Sequence, residues 1–183
     1  MDILTFQHGI ETHFKEKLNN LFSHIVEPGQ LIVDEDIRTL LFGDFMSKSK
    51  GDERLYDEIQ NLDELRETVE HYLEDYNLMS KAPMDLVMFR FAIEHISRIS
   101  RVLKQPNGHC LLVGIGGSGR QSVTRLAAFI SDFELFQIEI TKNYSMSEWR
   151  DDLRKMMRRA GELGVSTVFL FGDHQIKVFT TKS

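Results

Sequence analysis

Residues 111–122 read LLVGIGGSGRQS, a short apolar segment followed by a turn with four glycines in six positions. Small residues let the backbone wrap closely around an anion, and the positive end of a following helix faces the same point. A turn that only joins a strand to a helix needs fewer glycines. The stretch therefore predicts a phosphate-binding loop, and its expected ligand residues are Gly114, Ile115, Gly116, Gly117, Ser118, Gly119, Arg120, Gln121 and Ser122.

Two kinds of phosphate loop fit this spacing. Glycines at 114, 116 and 119 satisfy the dinucleotide fingerprint, which also needs an acidic residue about 20 positions later, and Glu134 or Glu139 is available. The same stretch approximates the Walker A loop of P-loop nucleotide hydrolases, because a cation follows the last glycine. That loop also needs a hydroxyl nearby and a later strand ending in aspartate, which Ser122 and Asp173 supply. We favour the Walker interpretation, with Ser122 and Asp173 as predicted magnesium ligands, and keep an NAD-binding oxidoreductase as an alternative.

The composition bounds the class of protein. With 183 residues, 42% apolar and 27% charged, the chain can bury one core, so we expect one globular domain or one domain with an appendage. No apolar run reaches the roughly 20 residues of a membrane span, and the first residues lack the pattern of a secretory signal. We therefore expect a soluble intracellular protein that does not contact membranes. Its single cysteine, Cys110, is expected to be a buried structural thiol.

Charge is distributed unevenly along the chain. Residues 1–104 carry 20 acidic and 12 basic side chains, whereas residues 105–183 carry 8 and 10. Proteins bind nucleic acids through clustered Lys and Arg, so this distribution argues against a nucleic-acid partner. The basic cluster Arg154, Lys155, Arg158 and Arg159 is interpreted as the solvated face of a helix.

The spacing of apolar residues changes at 105–108. Before that break, the pattern predicts helices at 11–26, 62–76 and 83–103, the last with Pro83 in its first turn. After it, predicted strands alternate with helices: strands at 109–113, 135–140 and 165–171, and helices at 119–131 and 147–163. Ser145 and Glu148 match a capping box, and Gly164 is a natural helix stop. The alternation predicts an α/β fold with a parallel sheet.

Four segments also carry a family resemblance: 81–103 (KAPMDLVMFRFAIEHISRISRVL), 111–131 (LLVGIGGSGRQSVTRLAAFIS), 136–150 (FQIEITKNYSMSEWR) and 167–177 (TVFLFGDHQIK). Together they resemble the fourth AAA+ module of axonemal dynein heavy chains and the helical stretch that leads into it, over about residues 11–177. The resemblance implies an ATP or ADP site with Mg²⁺ inside a microtubule-based ciliary motor. Its implied partners are the other AAA+ modules of the parent heavy chain, dynein intermediate and light chains, and microtubules. Its implied location is the cytoplasm and cytoskeleton, in the ciliary axoneme.

The predicted nucleotide site differs from that of a working hydrolase at three positions, two in the loop and one after the last predicted strand. Arg120 stands where a lysine usually reaches the phosphates, so the charge is kept but its shape is changed. Gln121 takes the usual place of the magnesium ligand, and Ser122 lies about 100° further round the helix. His174 follows Asp173 where an active site carries a glutamate that orients water. We therefore expect nucleotide binding with weak or no hydrolysis and no catalytic residue.

The resemblance also predicts an incomplete sheet. In AAA+ folds, the strand after the Walker B strand lies between that strand and the strand of the phosphate loop. The chain stops before it, and its tail at 178–183 leaves the family pattern, as a truncated or alternatively spliced product does. Segments 111–113 and 168–171 are therefore expected to lack this central strand as a neighbour, which predicts instability of the isolated chain.

The resulting hypothesis divides the chain into an acidic helical region at 1–104, a partial AAA+ P-loop α/β domain at 105–177 and a divergent tail at 178–183. Its leading function is a regulatory module that binds ATP or ADP within an axonemal dynein heavy chain. The alternative is a nucleotide-free fragment whose helical region acts as a protein-interaction module. Stabilisation by nucleotide distinguishes the two, because a ligand that binds only the folded state must raise the melting temperature.

Overall fold

The computed structural model describes residues 13–47 and 54–180, in two compact units divided between Leu41 and Phe42. The boundary predicted after residue 104 lies inside the second unit and remains a division of the sequence only. The first unit contains helix α1 (Lys15–Leu21), a 3₁₀ turn (Ser23–Ile25) and helix α2 (Asp34–Thr39). The helix predicted at 11–26 is thus shorter, and residues 11 and 12 lie outside the described residues. Two of its apolar side chains, Phe14 and Leu21, are 50% and 69% exposed.

The second unit begins with strand β1 (Phe42–Gly43), which pairs antiparallel with strand β2 (Asp57–Glu58). Helix α3 (Leu62–Met79) follows, then helix α4 (Arg90–Lys104) and helix α5 (Arg120–Ile130). Strand β3 (Glu134–Gln137), helix α6 (Met146–Gly161), strand β4 (Thr167–Leu170) and helix α7 (Asp173–Thr180) complete it. None of the described helices combines the length and the apolar character needed to cross a membrane.

The core lies where α3, α4 and α5 pack together. Leu65, Ile96, Leu126 and Ile130 are fully buried there. Helix α3 begins where the Asn61 side chain accepts hydrogen bonds from the next backbone N–H groups, which satisfies donors that have no partner inside the helix. Polar contacts are buried between α4 and the end of α5 as well, since the hydroxyls of Ser100 and Ser131 lie 2.7 Å apart. The helix of the phosphate loop is therefore packed directly onto the helices that precede it.

The predicted start of α4 is wrong: the helix begins at Arg90, not at Pro83. The Asn77 side chain donates to the carbonyl of Met84 (2.9 Å) and accepts from its N–H (2.7 Å). Those backbone groups are thereby removed from a helical ladder. Burial then alternates, with Met88 buried while Val87 and Phe89 are 72% and 58% exposed, which is the period of two expected of an extended segment rather than a helix.

Strands β3 and β4 pair in parallel, with Glu134 opposite Thr167 and Gln137 opposite Leu170. The predicted parallel pairing of these segments is confirmed, over shorter spans. Helix α6 connects them, and its capping box is confirmed, because Ser145 N–H donates to Glu148 and Glu148 N–H donates back to the Ser145 hydroxyl.

Helix α6 packs through Trp149, whose ring centroid lies 6.2 Å from that of Phe169 and 5.6 Å from that of Phe171. Other apolar side chains of this helix are only partly covered. Met146 and Met157 are 53% and 67% exposed, and Ala160 is exposed.

The strand predicted at 109–113 does not form, and this part of the expected sheet is wrong. No described strand lies beside it, so its backbone has no ladder to join. Leu111 and Val113 are 89% and 84% exposed as a result. Cys110 is exposed too, which corrects the expectation of a buried thiol, although partial burial still raises the pKa of that thiol above its usual value.

Candidate functional site

The phosphate loop lies between the unpaired segment 109–113 and the first turn of α5. Gly117 and Gly119 have φ angles of +78° and +75°, and Gly119 is the residue that caps α5. Side chains rarely adopt this left-handed conformation, so the two glycines are needed for the backbone path. A Cβ atom added at Gly116, Gly117 or Gly119 would meet no other atom within 4 Å. The loop therefore presents open backbone at the positive end of an 11-residue helix, which suits a phosphate group.

Arg120 folds back onto this loop. Its guanidinium donates to the carbonyl oxygen of Ile115 at 3.1 Å and to that of Leu112 at 3.4 Å. A Cβ atom on Gly114 would lie 3.6 Å from Arg120 Cδ, in van der Waals contact, so the side chain packs beside this glycine. The predicted phosphate cation is thus bound to carbonyl groups of its own loop.

The next two residues differ in their surroundings. Gln121 is exposed, and its Nε2 atom would lie 3.4 Å from a Cβ on Gly172, the residue that follows β4 by two positions. Ser122 is half-buried on α5. The structure therefore brings the first turn of α5 to the carboxyl end of β4, as the Walker interpretation requires.

The two predicted metal ligands lie on different helices, Ser122 in the first turn of α5 and Asp173 at the start of α7. The Asp173 side chain is 91% exposed and its Oδ1 accepts a hydrogen bond from the N–H of His174 at 2.9 Å. No hydrogen bond joins it to Ser122, both being described residues. Across 13–47 and 54–180, no three His, Cys, Asp or Glu side chains are grouped closely enough to hold a metal ion. The loop fits a phosphate group, whereas Mg²⁺ would take most of its ligands from the phosphates and water.

Gly172 and His174 form a tight corner after β4. A Cβ atom on Gly172 would lie 2.7 Å from the imidazole Cε1 of His174, closer than atoms pack. The imidazole thus lies against Gly172, at the position where a hydrolase needs a carboxylate. His174 Nδ1 lies 3.8 Å from Asp173 Oδ1. His174, and not a glutamate, thus follows Asp173 at this corner.

Sequence reasoning missed Gln175, the most buried polar side chain near the site, at 1% exposure. Its Nε2 donates to the carbonyl of Ile138 and its Oε1 accepts from the N–H of Gly172, both at 2.6 Å. One side chain thus joins the chain just after β3 to the chain just after β4. No motif signals this role, because a glutamine in a helical pattern is ordinarily exposed.

Glu134, one candidate for the ribose ligand of a dinucleotide, forms an ion pair with Arg159 at the amino end of β3. The phosphate loop meets the opposite, carboxyl end of the sheet. Glu139 follows β3 at that end and is exposed. Of the two acidic residues proposed to bind the ribose of a dinucleotide, only Glu139 therefore lies at the same end of the sheet as the loop.

Comparison with known proteins identifies the class. The family model described as the P-loop containing dynein motor region D4 matches residues 84–182, more than half of the chain. The match includes the glycine loop, both strands of the parallel pair and the corner after β4. The chain therefore belongs to this family of P-loop dynein motor regions.

Its relatives are axonemal dynein heavy chains, which confirms the resemblance. The chain is 57% identical over 164 residues to dynein axonemal heavy chain 3 of Homo sapiens, covering 90% of this chain and 4% of the relative. It is 47% identical over 152 residues to dynein axonemal heavy chain 12 of Rattus norvegicus, covering 82% and 5%. It is 49% identical over 138 residues to dynein axonemal heavy chain 1 of Homo sapiens, covering 75% and 3%. The chain thus spans only 3–5% of the length of these relatives.

Proposed function

We propose that this chain is a regulatory nucleotide-binding part of an axonemal dynein motor, which binds ATP or ADP and hydrolyses ATP slowly or not at all. The observation that carries the proposal is the open backbone of Gly116, Gly117 and Gly119 at the start of α5, where an added Cβ would meet no atom within 4 Å. In a P-loop family member, that space is where phosphate binds.

Binding would use the backbone N–H groups of the loop and the first turn of α5. Arg120 would add its charge only after leaving the carbonyls of Leu112 and Ile115, so part of the binding free energy would be used to break these two hydrogen bonds. Mg²⁺, when bound with the nucleotide, would neutralise charge on the phosphates. Ser122 and Asp173 are the protein groups proposed to hold it. Nucleotide would then act by stabilising one conformation of the module.

Slow hydrolysis is supported by the corner after β4. His174 lies against Gly172, and the exposed Asp173 has no second carboxylate beside it. A positioned base contributes about 10²–10⁴-fold to such a reaction, and position 174 carries an imidazole in place of the carboxylate of a working hydrolase.

The parent protein supplies the remaining proposals. As part of an axonemal dynein heavy chain, the region would contact neighbouring AAA+ modules. It would share a motor with intermediate and light chains and act on microtubules in the ciliary axoneme. The proposed nucleotide site consists of residues 114–122, and Asp173 would serve as a ligand of the Mg²⁺ ion.

Thermal unfolding of the full chain with ATP–Mg²⁺, ADP–Mg²⁺ and NAD tests the proposal. Adenine nucleotide at 100 times its dissociation constant should stabilise the fold by about 2.7 kcal/mol, and NAD should not. Gly116→Val fills the open loop without strain in the empty fold, so it should abolish the shift and leave the unliganded melting temperature unchanged. Gly161→Val is the matched control, because a Cβ there also meets no atom within 4 Å but lies at the end of α6.

Two results of this experiment distinguish a nucleotide site from its alternative. A nucleotide-dependent rise that Gly116→Val removes and Gly161→Val keeps supports the site. A wild-type chain that melts cooperatively but at the same temperature with every nucleotide would contradict it and favour the interaction-module alternative.

A further inference from the structure

A groove lies at the amino end of the parallel strand pair, whereas the phosphate loop meets the carboxyl end. Its wall is the carboxyl-terminal half of α6 and its floor is the amino end of β3. The cavity, of about 480 Å³, is lined chiefly by Glu134, Phe136, Lys155, Arg158, Arg159 and Thr167. Sites for small ligands and peptide side chains fall in the same range of roughly 300–1,000 Å³.

The groove is positively charged. Arg159 pairs with Glu134 across it, and Lys155 donates to Asp152 on its own helix at 3.1 Å. Arg158 is exposed, and its side chain makes no hydrogen bond or ion pair within the described residues. Three cations thus meet two carboxylates here, Glu134 and Asp152, and the charge of Arg158 is left over, in a chain whose net charge is −6.

Strand β3, which contributes residues 134–136 to the groove, has one unpaired edge among the described residues. In the described part of the chain, β3 pairs with β4 and with no other strand. Half of the N–H and C=O groups of a parallel strand point to each side, so β3 has unpaired groups along its second edge. Leu135 and Phe136 beside them are half-buried and offer apolar contact.

We infer that this groove binds an acidic peptide segment in extended conformation, which adds to the free edge of β3 and places carboxylates against Arg158 and Lys155. Strand addition supplies main-chain hydrogen bonds, and the flanking cations select the sequence. The apolar floor and the strand edge favour a peptide over a nucleic acid, whose phosphates need cations but no strand. This site is independent of the proposed nucleotide site.

The test is fluorescence anisotropy of the full chain with a labelled eight-residue peptide of alternating Glu and Val. The ionic strength should be about 0.05 M, where surface charges are weakly screened. Arg158→Glu and Lys155→Glu should each raise the dissociation constant at least about tenfold. Arg154→Glu is the matched control, because it makes the same change of charge on the same helix at a residue that pairs with Asp151 outside the groove. All three positions are exposed, and thermal unfolding of each variant checks that the fold is kept.

Two further probes test the strand geometry and the charge. A version of the peptide N-methylated at alternate residues should bind at least about fivefold more weakly, because it cannot pair with β3. A Lys and Val peptide of the same length should not bind. Equal loss in Arg154→Glu, undiminished binding of the N-methylated peptide, or no binding of the acidic peptide would each overturn the inference. Single-stranded DNA that binds as tightly with the same dependence on Arg158 would overturn it in favour of a general polyanion site.

Discussion

The guanidinium of Arg120 and the carbonyl of Ile115 are joined by a hydrogen bond of 3.1 Å, and this bond crosses the glycine loop. Arginine can make this contact and a second one to Leu112 at the same time because its donors form a planar fork. A lysine at 120 would have one ammonium group and could not span both carbonyls in the same way. The residue that distinguishes this loop from a lysine-containing loop therefore also holds the unliganded loop together.

Replacing Arg120 by Lys should release the loop while keeping a cation. We expect Arg120→Lys to bind ATP as tightly as the wild-type chain or up to a few-fold more tightly, since no carbonyl contact has to be broken. Arg120→Ala removes the charge as well, and should weaken binding about tenfold, or ~1.4 kcal/mol. Titration with a fluorescent ATP analogue measures both. A lysine variant that binds more weakly than the alanine variant would contradict the role given to Arg120.

Replacing Gln175 by Leu should be strongly destabilising. The substitution leaves the carbonyl of Ile138 and the N–H of Gly172 without their partner in a buried position. We expect the free energy of unfolding to fall by roughly 2–4 kcal/mol, because each buried polar group left unpaired costs about 1–3 kcal/mol. Urea unfolding gives the value. Gln60→Leu, at an exposed position, is the control and should change stability by less than about 0.5 kcal/mol.

The pair Tyr144 and Asp152 should make stability depend on pH. The hydrogen bond from the Tyr144 hydroxyl, at 2.7 Å, is the main cause that lowers the pKa of Asp152, and Lys155 adds to it. A carboxylate with a lowered pKa stabilises the fold above its unfolded-state pKa of about 4, and this stabilisation is lost as the pH falls through the folded-state pKa. Burial, together with the same hydrogen bond, raises the pKa of Tyr144, so its contribution is present below about pH 10 and is lost at higher pH.

Replacing Tyr144 by Phe should therefore cost about 1.5–3 kcal/mol at pH 7, the range for a hydrogen bond to a charged group. The difference between variant and wild type should narrow as the pH falls below about 4. Urea midpoints at neutral and acidic pH provide the comparison. A difference that stays constant over this range would show that the hydroxyl acts through packing and not through the carboxylate.

Asn77 should hold the segment before α4 out of helical conformation. Asn77→Ala removes both hydrogen bonds to Met84, so we expect faster hydrogen exchange of the Met84 amide and a loss of about 1–2 kcal/mol in stability. Asn143→Ala changes the same residue type at an exposed site and should affect neither. Unchanged exchange at Met84 in the Asn77 variant would show that other contacts fix this segment.

Local signals in the sequence were sufficient for much of the fold. Helix α3 has Asn61 as its cap and a regular apolar face with Leu65 and Val69 buried, so periodicity alone located it. The capping box at Ser145 and Glu148 placed the start of α6 for the same reason. The glycines at 117 and 119 marked the loop because their backbone angles demand glycine. Each of these features depends on residues within a few positions of one another.

The errors arose where distant contacts decide the structure. Apolar spacing extended α4 back to Pro83, but a side chain from the preceding helix binds Met84 and prevents it. The segment 109–113 has strand-forming residues, yet a strand needs a neighbour, and none is present in the described part of the chain. Gln175 belongs to no motif. Its importance comes from two backbone groups, the distant carbonyl of Ile138 and the nearby N–H of Gly172.

Three apolar side chains at the start of the loop, Leu111, Val113 and Ile115, are 82–89% exposed. No strand in the described residues pairs with the backbone that carries them. Two molecules that meet through this segment can satisfy each other's backbone groups and cover the same apolar side chains. The purified chain should therefore self-associate as its concentration rises, starting at the loop and leaving the packed helices folded. Because that association would cover the glycine backbone, the apparent affinity for nucleotide should fall as protein concentration increases.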